Sequence, residues 1–214
     1  MPDAPRRLLL LRHGRTAWNL ERRIQGQLDA PLDEVGHTQG RLVASTLAAM
    51  RPATLWSSDL SRAADTAAYI GEACGLPVRH DARLREYSLG ALQGLTHEEY
   101  AASDPDAFDQ FRRGHFDIAP DGESTVEVAD RMSGALGDLL AATAPGELAV
   151  AVSHGASIRV GIAAMVGWPL ELTTTLGVLD NTAWVVLAES PVTGRLRLAA
   201  YNREGDFASA EGVG

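Results

Sequence analysis

The sequence predicts an α/β domain of three layers: a mostly parallel sheet with one antiparallel edge strand, covered by helices on both faces. Three observations predict it. Short continuous apolar runs at residues 8–11 and 148–152 have the composition of strands buried on both sides. Stretches of helical period stand between the strand-like runs along the whole chain. Two late strand-like runs, 182–187 and 196–201, flank a turn at 191–195 and so pair antiparallel.

The elements follow in order. Residues 8–11 are four leucines that end at Arg12-His13-Gly14. Residues 34–50 have helical spacing, with Val35, Leu42, Val43, Leu47 and Met50 expected on one buried side. Residues 54–56 form a second short strand. The alanine-rich helix 60–73 follows, with Ser58 or Asp59 expected as its N-cap and Gly75 just past its end. Leu76-Pro77-Val78 begins a third strand. Residues 81–122 read as an irregular insertion over the sheet, with short helices at 96–102 and 105–113. Ser124-Thr125-Val126-Glu127 is a capping box that opens a helix reaching about residue 143. The strand 148–152 runs into Ser153-His154-Gly155, then a helix through Met165 that closes near Gly167. Residues 204–214 read as a flexible tail.

The chain has 214 residues, a size that fits one domain over 1–214 with a core of its own. Its net charge is −9, so no basic face for nucleic acid is expected. One cysteine, Cys74, leaves no internal disulfide and no cysteine-based metal site. No window has the length of a membrane span. The expectation is a cytoplasmic protein that acts on a small molecule, with neither nucleic acid nor membrane as partner.

Two buried strands end the same way, LLLLRHG and LAVAVSHG. In open α/β sheets, ligands bind at the carboxyl ends of the strands. A lone strand-end histidine is ordinarily a satisfied structural residue. Two of them, each followed by a glycine that lets a ligand approach closely, make a site. No third ligand at metal spacing accompanies either one, and Arg12 beside His13 repels a dication. The same pair suits a phosphate, which an arginine grips with two donors. A neutral imidazole facing that phosphate is a nucleophile. Arg62, in the first turn of its helix, is a second candidate clamp. Asn19 and Gln25 are candidate donors to phosphate oxygens. The acid that protonates the leaving group is to be found among Glu86, Glu98, Glu99 and Glu123, and residue types alone leave that choice open.

These residues carry a resemblance to the histidine phosphatase superfamily, which includes the cofactor-dependent phosphoglycerate mutases. The family pattern L-x-R-H-G-x-T-x-x-N is matched from Leu10 to Asn19, and its continuation by Gly26, Asp29, Pro31, Leu32, Gly36 and Gln39. Ser57 to Ala67 matches S-S-D-L-x-R-A-x-x-T-A. Leu84-Arg85-Glu86 with Gly90 and Gly94, and then Ser153-His154-Gly155, supply the remaining blocks. The resemblance implies the phosphoglycerate mutase-like fold and His13 as a nucleophile that becomes phosphohistidine. It makes Arg12, Arg62 and a cationic His154 the clamp on the phosphoryl oxygens and Glu86 the acid/base. Asn19 and Gln25 become secondary contacts. It implies no cofactor and no metal, and relatives in the family suggest a homodimer.

The chain is shorter than the mutases and its end does not match their C-terminal tail. Arg112-Arg113 is similar to the mutases' substrate arginines. Residues 24–29 and 90–97 are instead similar to the compact phosphatases, the glucosyl-3-phosphoglycerate phosphatases among them. The expectation is a phosphomonoester phosphatase for a small phosphorylated metabolite, such as a phosphoglycerate or sugar-phosphate derivative. The alternatives are a phosphoglycerate mutase and a non-catalytic phospho-ligand binder. Trp18, Tyr87, Leu89, Arg113 and His115 are candidates to line the leaving-group side.

Overall fold

The computed structural model describes residues 4–205. Six strands form one sheet: β1 (Arg7–Arg12), β2 (Thr54–Ser57), β3 (Val78–His80), β4 (Leu148–Ser153), β5 (Trp184–Glu189) and β6 (Leu196–Arg203), in the order β3-β2-β4-β1-β5-β6. The first four are parallel; β5 runs against β1 and β6 against β5, so the antiparallel edge is a hairpin. The helices are α1 (Ala17–Leu20), α2 (Glu34–Ala49), α3 (Ser61–Cys74), α4 (His97–Ser103), α5 (Pro105–Arg112), α6 (Thr125–Ala141) and α7 (Gly155–Val166).

The leucine run is buried on both sides, as its composition requires. Leu8 and Leu10 enter one core with Met132, Leu136, Ile158 and Ile162 of α6 and α7. Leu9 and Leu11 enter the other with Val43, Leu47, Ala63 and Ile70 of α2 and α3. Strand residues alternate between faces, so one run of identical side chains serves two cores. β4 repeats the pattern: Ala149 and Ala151 face α6 and α7, Val150 and Val152 face α2 and α3.

β1 and β4 are neighbours, with Arg12 beside Ser153. The chain leaves β1 toward α2 on one face and leaves β4 into α7 on the other. This is the point where connections diverge, and a crevice opens between the strand ends. Residues 81–122 lie on the α6–α7 side as two 3-10 turns, α4 and α5. Tyr87, His97, Tyr100, Phe108, Phe111 and Phe116 form one aromatic cluster there, with ring centroids 5.1–6.4 Å apart.

Several local expectations need correction. Val35 and Leu42 of α2 are exposed, at 43% and 42%, and the buried stripe runs instead through Gly36, Gly40, Val43, Ala44 and Leu47. The N-cap of α3 is Leu60, whose side chain makes no capping bond. Asp59 is drawn away to Arg85, and Asp29 from a distant loop accepts the Ser61 N–H at 2.8 Å. β3 starts at Val78, because the Leu76 N–H bonds back to Gly71 O at 2.9 Å and Pro77 has no N–H to give a ladder. Gly75 does end α3 in the left-handed conformation, φ 66°. The Ser124–Glu127 capping box is formed. Of the expected tail, residues 206–214 lie outside the described residues.

Candidate active site

A cavity of about 230 Å³ opens at the ends of β1 and β4. Arg12, His13, Asn19, Gln25, Arg62 and Glu86 all line it. Residues far apart in sequence meet there because parallel strands deliver their ends to one side of the sheet.

His13 is 3% exposed. Its Nδ1 lies 2.7 Å from Gly14 O. A carbonyl only accepts, so Nδ1 carries the proton and Nε2 keeps a free lone pair. Burial pushes the His13 pKa well below its usual value, and the charges of Arg62 and Arg12 push the same way. The imidazole is therefore neutral at neutral pH. Asn181 Nδ2 donates to His13 O at 3.1 Å, and the Gly14 N–H donates to Thr66 Oγ1 at 3.0 Å, which fixes the backbone around it.

Arg62 is 1% exposed. Nη1 donates to Leu28 O at 2.8 Å, Nη2 to Gly26 O at 2.7 Å and Nε to His154 Nδ1 at 3.2 Å. A guanidinium has five N–H donors, so two remain for a ligand. Burial lowers the Arg62 pKa to about 10, which still leaves it charged at neutral pH. Arg12 donates from Nη1 to Leu179 O, while its buried Nε has no partner. Burial lowers the Arg12 pKa, and Glu86 partly offsets this.

His154 stands beside His13, ring centroids 5.1 Å apart, but is fully buried and does not line the cavity. Nδ1 accepts from Arg62, so the proton sits on Nε2, which faces Ser58 Oγ at 2.9 Å. Burial, then Arg62 and His13, hold its pKa well below the usual value. The expected cationic clamp is thus corrected: His154 is neutral with both nitrogens engaged, and it holds Arg62 in place.

Glu86 sits at the first turn of α7. Oε1 accepts from Tyr87 N at 3.0 Å, Ser157 N at 2.9 Å and Ser157 Oγ at 2.8 Å; Oε2 accepts only from Ala156 N at 3.1 Å. The helix N-terminus thus holds this carboxylate. Oε2 keeps the lone pair that can carry or take a proton. Arg131 gathers the carbonyls of Arg83, Arg85 and Glu86 and pairs with Glu123, which fixes the loop. The other carboxylates have structural posts: Glu123 with Arg131, Glu99 in the capping box of α4, and Glu98 in a separate surface cleft.

Asn19 Oδ1 accepts from Thr16 N at 3.0 Å and Thr16 Oγ1 at 3.1 Å, which leaves its Nδ2 for the cavity. Gln25 contributes a buried Oε1 with no partner. Of the leaving-group candidates, Tyr87 and Leu89 line the cavity, whereas Trp18, Arg113 and His115 do not. Arg113 pairs with Asp109 on the surface. The expectation for Gly14 also changes. Its φ is not positive, and a Cβ there would stand 2.6 Å from Gly36 O, so the close approach is to α2 and not to a ligand.

Sequence reasoning missed Ser58, Thr66, Ser157, Arg131 and Arg159. Arg159 lines the cavity from α7, four residues after Gly155. That i, i+4 spacing puts it on the same helix face and was the available signal. Ser58 and Thr66 are fixed positions of the S-S-D-L-x-R-A-x-x-T-A block, which was their signal, but residue type alone does not tell a serine or threonine that orients a histidine from one that only fills space.

The arrangement has a neutral imidazole with a free lone pair, two charged guanidinium groups with unspent donors, and a carboxylate, all on one cavity. Residues 8–202 match the family model of the histidine phosphatase superfamily (branch 1). The chain is 39% identical to glucosyl-3-phosphoglycerate phosphatase of Mycobacterium tuberculosis, across 95% of this chain and 97% of that one. It is 35% identical to metal-independent phosphoserine phosphatase of Arabidopsis thaliana, across 87% and 82%. The solved structure of a mycobacterial glucosyl-3-phosphoglycerate phosphatase in complex with VO3 superposes with a TM-score of 0.86, at 40% identity, covering 93% of this chain and 100% of that one.

Proposed function

The chain belongs to the histidine phosphatase superfamily, and from that premise we propose how its residues hydrolyse a phosphomonoester. It is a phosphomonoester hydrolase of small phosphorylated substrates. His13 Nε2 attacks phosphorus, forming an N–P bond as the P–O bond to the leaving group breaks. Glu86 gives its proton from Oε2 to the departing oxygen. Glu86 then takes a proton from water, whose oxygen attacks the phosphohistidine and restores His13. Arg12 and Arg62 hold the equatorial oxygens, where charge is spread in the transition state. Asn19 adds one donor. The arginines supply the positive charge, so the steps need no metal or cofactor.

The observation that carries this is the His13 tautomer. The Gly14 carbonyl holds the proton on Nδ1, which leaves Nε2 as a neutral nucleophile in a cavity with two arginines. His13→Ala is expected to abolish phosphate release from p-nitrophenyl phosphate while circular dichroism stays unchanged. Full activity in that variant overturns the mechanism. The substrate in this reading is a phosphoglycerate or sugar-phosphate derivative, as the names of the mycobacterial relatives indicate for those proteins. Incubation with 3-phosphoglycerate, with and without a bisphosphoglycerate primer, separates hydrolysis from mutase chemistry: free phosphate supports the first, 2-phosphoglycerate the second.

The whole of 1–214 acts as one domain, with residues 81–122 over the site. No helix of the described residues is long and apolar enough to cross a membrane. We place the protein in the cytoplasm, as a homodimer.

A further inference from the structure

Three arginines line the cavity, Arg12, Arg62 and Arg159, and among the described residues none of them has an ion pair. Other partly buried arginines are neutralised by a carboxylate, Arg15 by Asp33 and Arg131 by Glu123. A charge kept partly out of water and unpaired is costly unless a ligand answers it. Arg12 and Arg62 are answered by the phosphate. Arg159 is not.

Arg159 comes from a different element than Arg12 and Arg62, and its charge is felt by Arg12. It projects from the second turn of α7, and a Cβ on Gly114 would lie 3.8 Å from its Nη1. That puts its guanidinium beside the chain that leads into Phe116, a member of the aromatic wall. Its one hydrogen bond, from Nη1 to Leu176 O, is 3.3 Å long. Four N–H donors are unspent. The cavity is otherwise lined by Ile24, Leu89, Phe111, Phe116, Val178 and Leu179, with Tyr87 and His97 as further titratable groups. Burial, then Arg22 and Arg112, lower the His97 pKa, so it adds no charge at neutral pH.

We infer that Arg159 reads a carboxylate on the leaving group, a short distance from the phosphoester. The inference rests on the hydrolase reading and names the substrate class of that site. Charge balance supports it. The three arginines bring three positive charges to the cavity. A phosphate dianion meets two of them and a monoanionic carboxylate the third. A second phosphate is a poorer match, because it brings two charges to one cation. The fork of the guanidinium suits both oxygens of a carboxylate.

The test compares 3-phosphoglycerate with glycerol 3-phosphate, which replaces the carboxylate by a hydroxymethyl group. The wild type is expected to favour the carboxylate substrate by on the order of 10- to 100-fold in kcat/KM, the range for a charged hydrogen-bonded contact. Arg159→Gln keeps a donor for Leu176 O and loses the charge; it is expected to collapse that ratio, chiefly through KM. Arg159→Lys is expected to restore part of it. A wild type that hydrolyses p-nitrophenyl phosphate but treats the two substrates alike, or takes neither, overturns the inference and leaves the hydrolase reading intact. So does an Arg159→Gln variant that slows both equally, which is what mere support of the Leu176 loop predicts. No phosphate release from p-nitrophenyl phosphate by the wild type defeats the hydrolase reading itself.

Discussion

Glu86→Gln separates the structural contacts of the Glu86 carboxylate from the proton transfer proposed for it. Four donor groups converge on the carboxylate, three at Oε1 and one at Oε2, with the single Ser157 hydroxyl proton shared with Arg85 O. A glutamine can keep its oxygen at the three-donor side, but its NH2 then meets the Ala156 N–H. One hydrogen bond is lost and a donor faces a donor, at a cost of about 1–3 kcal/mol. For a chain of this size that lowers Tm by roughly 2–12 °C. The proton transfer is the chemical part. General acid–base catalysis is worth about 10²- to 10⁴-fold, or about 3–5 kcal/mol of barrier. The leaving group decides where that loss appears. Nitrophenolate departs without a proton, so in Glu86→Gln the phosphorylation of His13 by p-nitrophenyl phosphate stays fast. Attack of water on phosphohistidine loses its base and becomes slow. Rapid mixing should show a burst of nitrophenol followed by a slow steady state, with acid-labile phosphate on the protein. An alkyl phosphate needs the proton in the first step and should show no burst. If Glu86→Gln hydrolyses alkyl phosphates at the wild-type rate, or slows both substrates equally without a burst, Glu86 is not the proton carrier.

Two further outcomes follow from the geometry. His13 and His154 are both buried and held neutral, with pKa values well below 6.5. The unfolded chain binds protons at these positions near pH 6.5 and the folded chain does not, so stability is full above that pH and falls as pH drops below it. Each histidine contributes a slope of up to about 1.4 kcal/mol per pH unit; chemical denaturation between pH 7 and pH 5 should show the fall, and His13→Asn should reduce it by the share of one histidine, with that of His154 remaining. An unchanged slope in that variant would falsify the neutral assignment. Gly14→Ala places a methyl 2.6 Å from the backbone oxygen Gly36 O, which cannot swing aside as a flexible side chain can. It is expected to cost about 1–3 kcal/mol of overpacking and to displace His13; a wild-type melting curve and a wild-type turnover rate together refute the contact.

The sequence by itself determined the layers, the strand ends and the chemical types at them. An apolar run of four leucines has to be covered on both faces, and a strand that stops at Arg-His-Gly has to deliver those side chains to the sheet's carboxyl edge. The same holds for β4 and His154. Local periodicity and punctuation are properties of neighbouring residues, so they are visible without the fold. Boundaries set by distant partners were not visible. α3 lacks a local cap because Asp29 reaches its first N–H from another loop. Val35 and Leu42 share a helical stripe with Val43 on paper, yet which arc of α2 meets the sheet depends on how Gly36 lets it approach Arg15.

The tertiary structure alone decided the proton positions and the charges. His154 is a titratable strand-end histidine in the sequence. Between Arg62 and Ser58 it becomes a neutral acceptor that aims a guanidinium, because a hydrogen-bond partner that can only donate fixes the tautomer. Residue type left four glutamates equivalent and only the motif resemblance singled out Glu86; the fold gives the physical reason, because Arg131 and the first turn of α7 hold it on the cavity. Arg159 was one arginine among many on helices. What sets it apart is that among the described residues it lines the cavity without an ion pair, and whether a charge has a partner is settled only when the chain has folded.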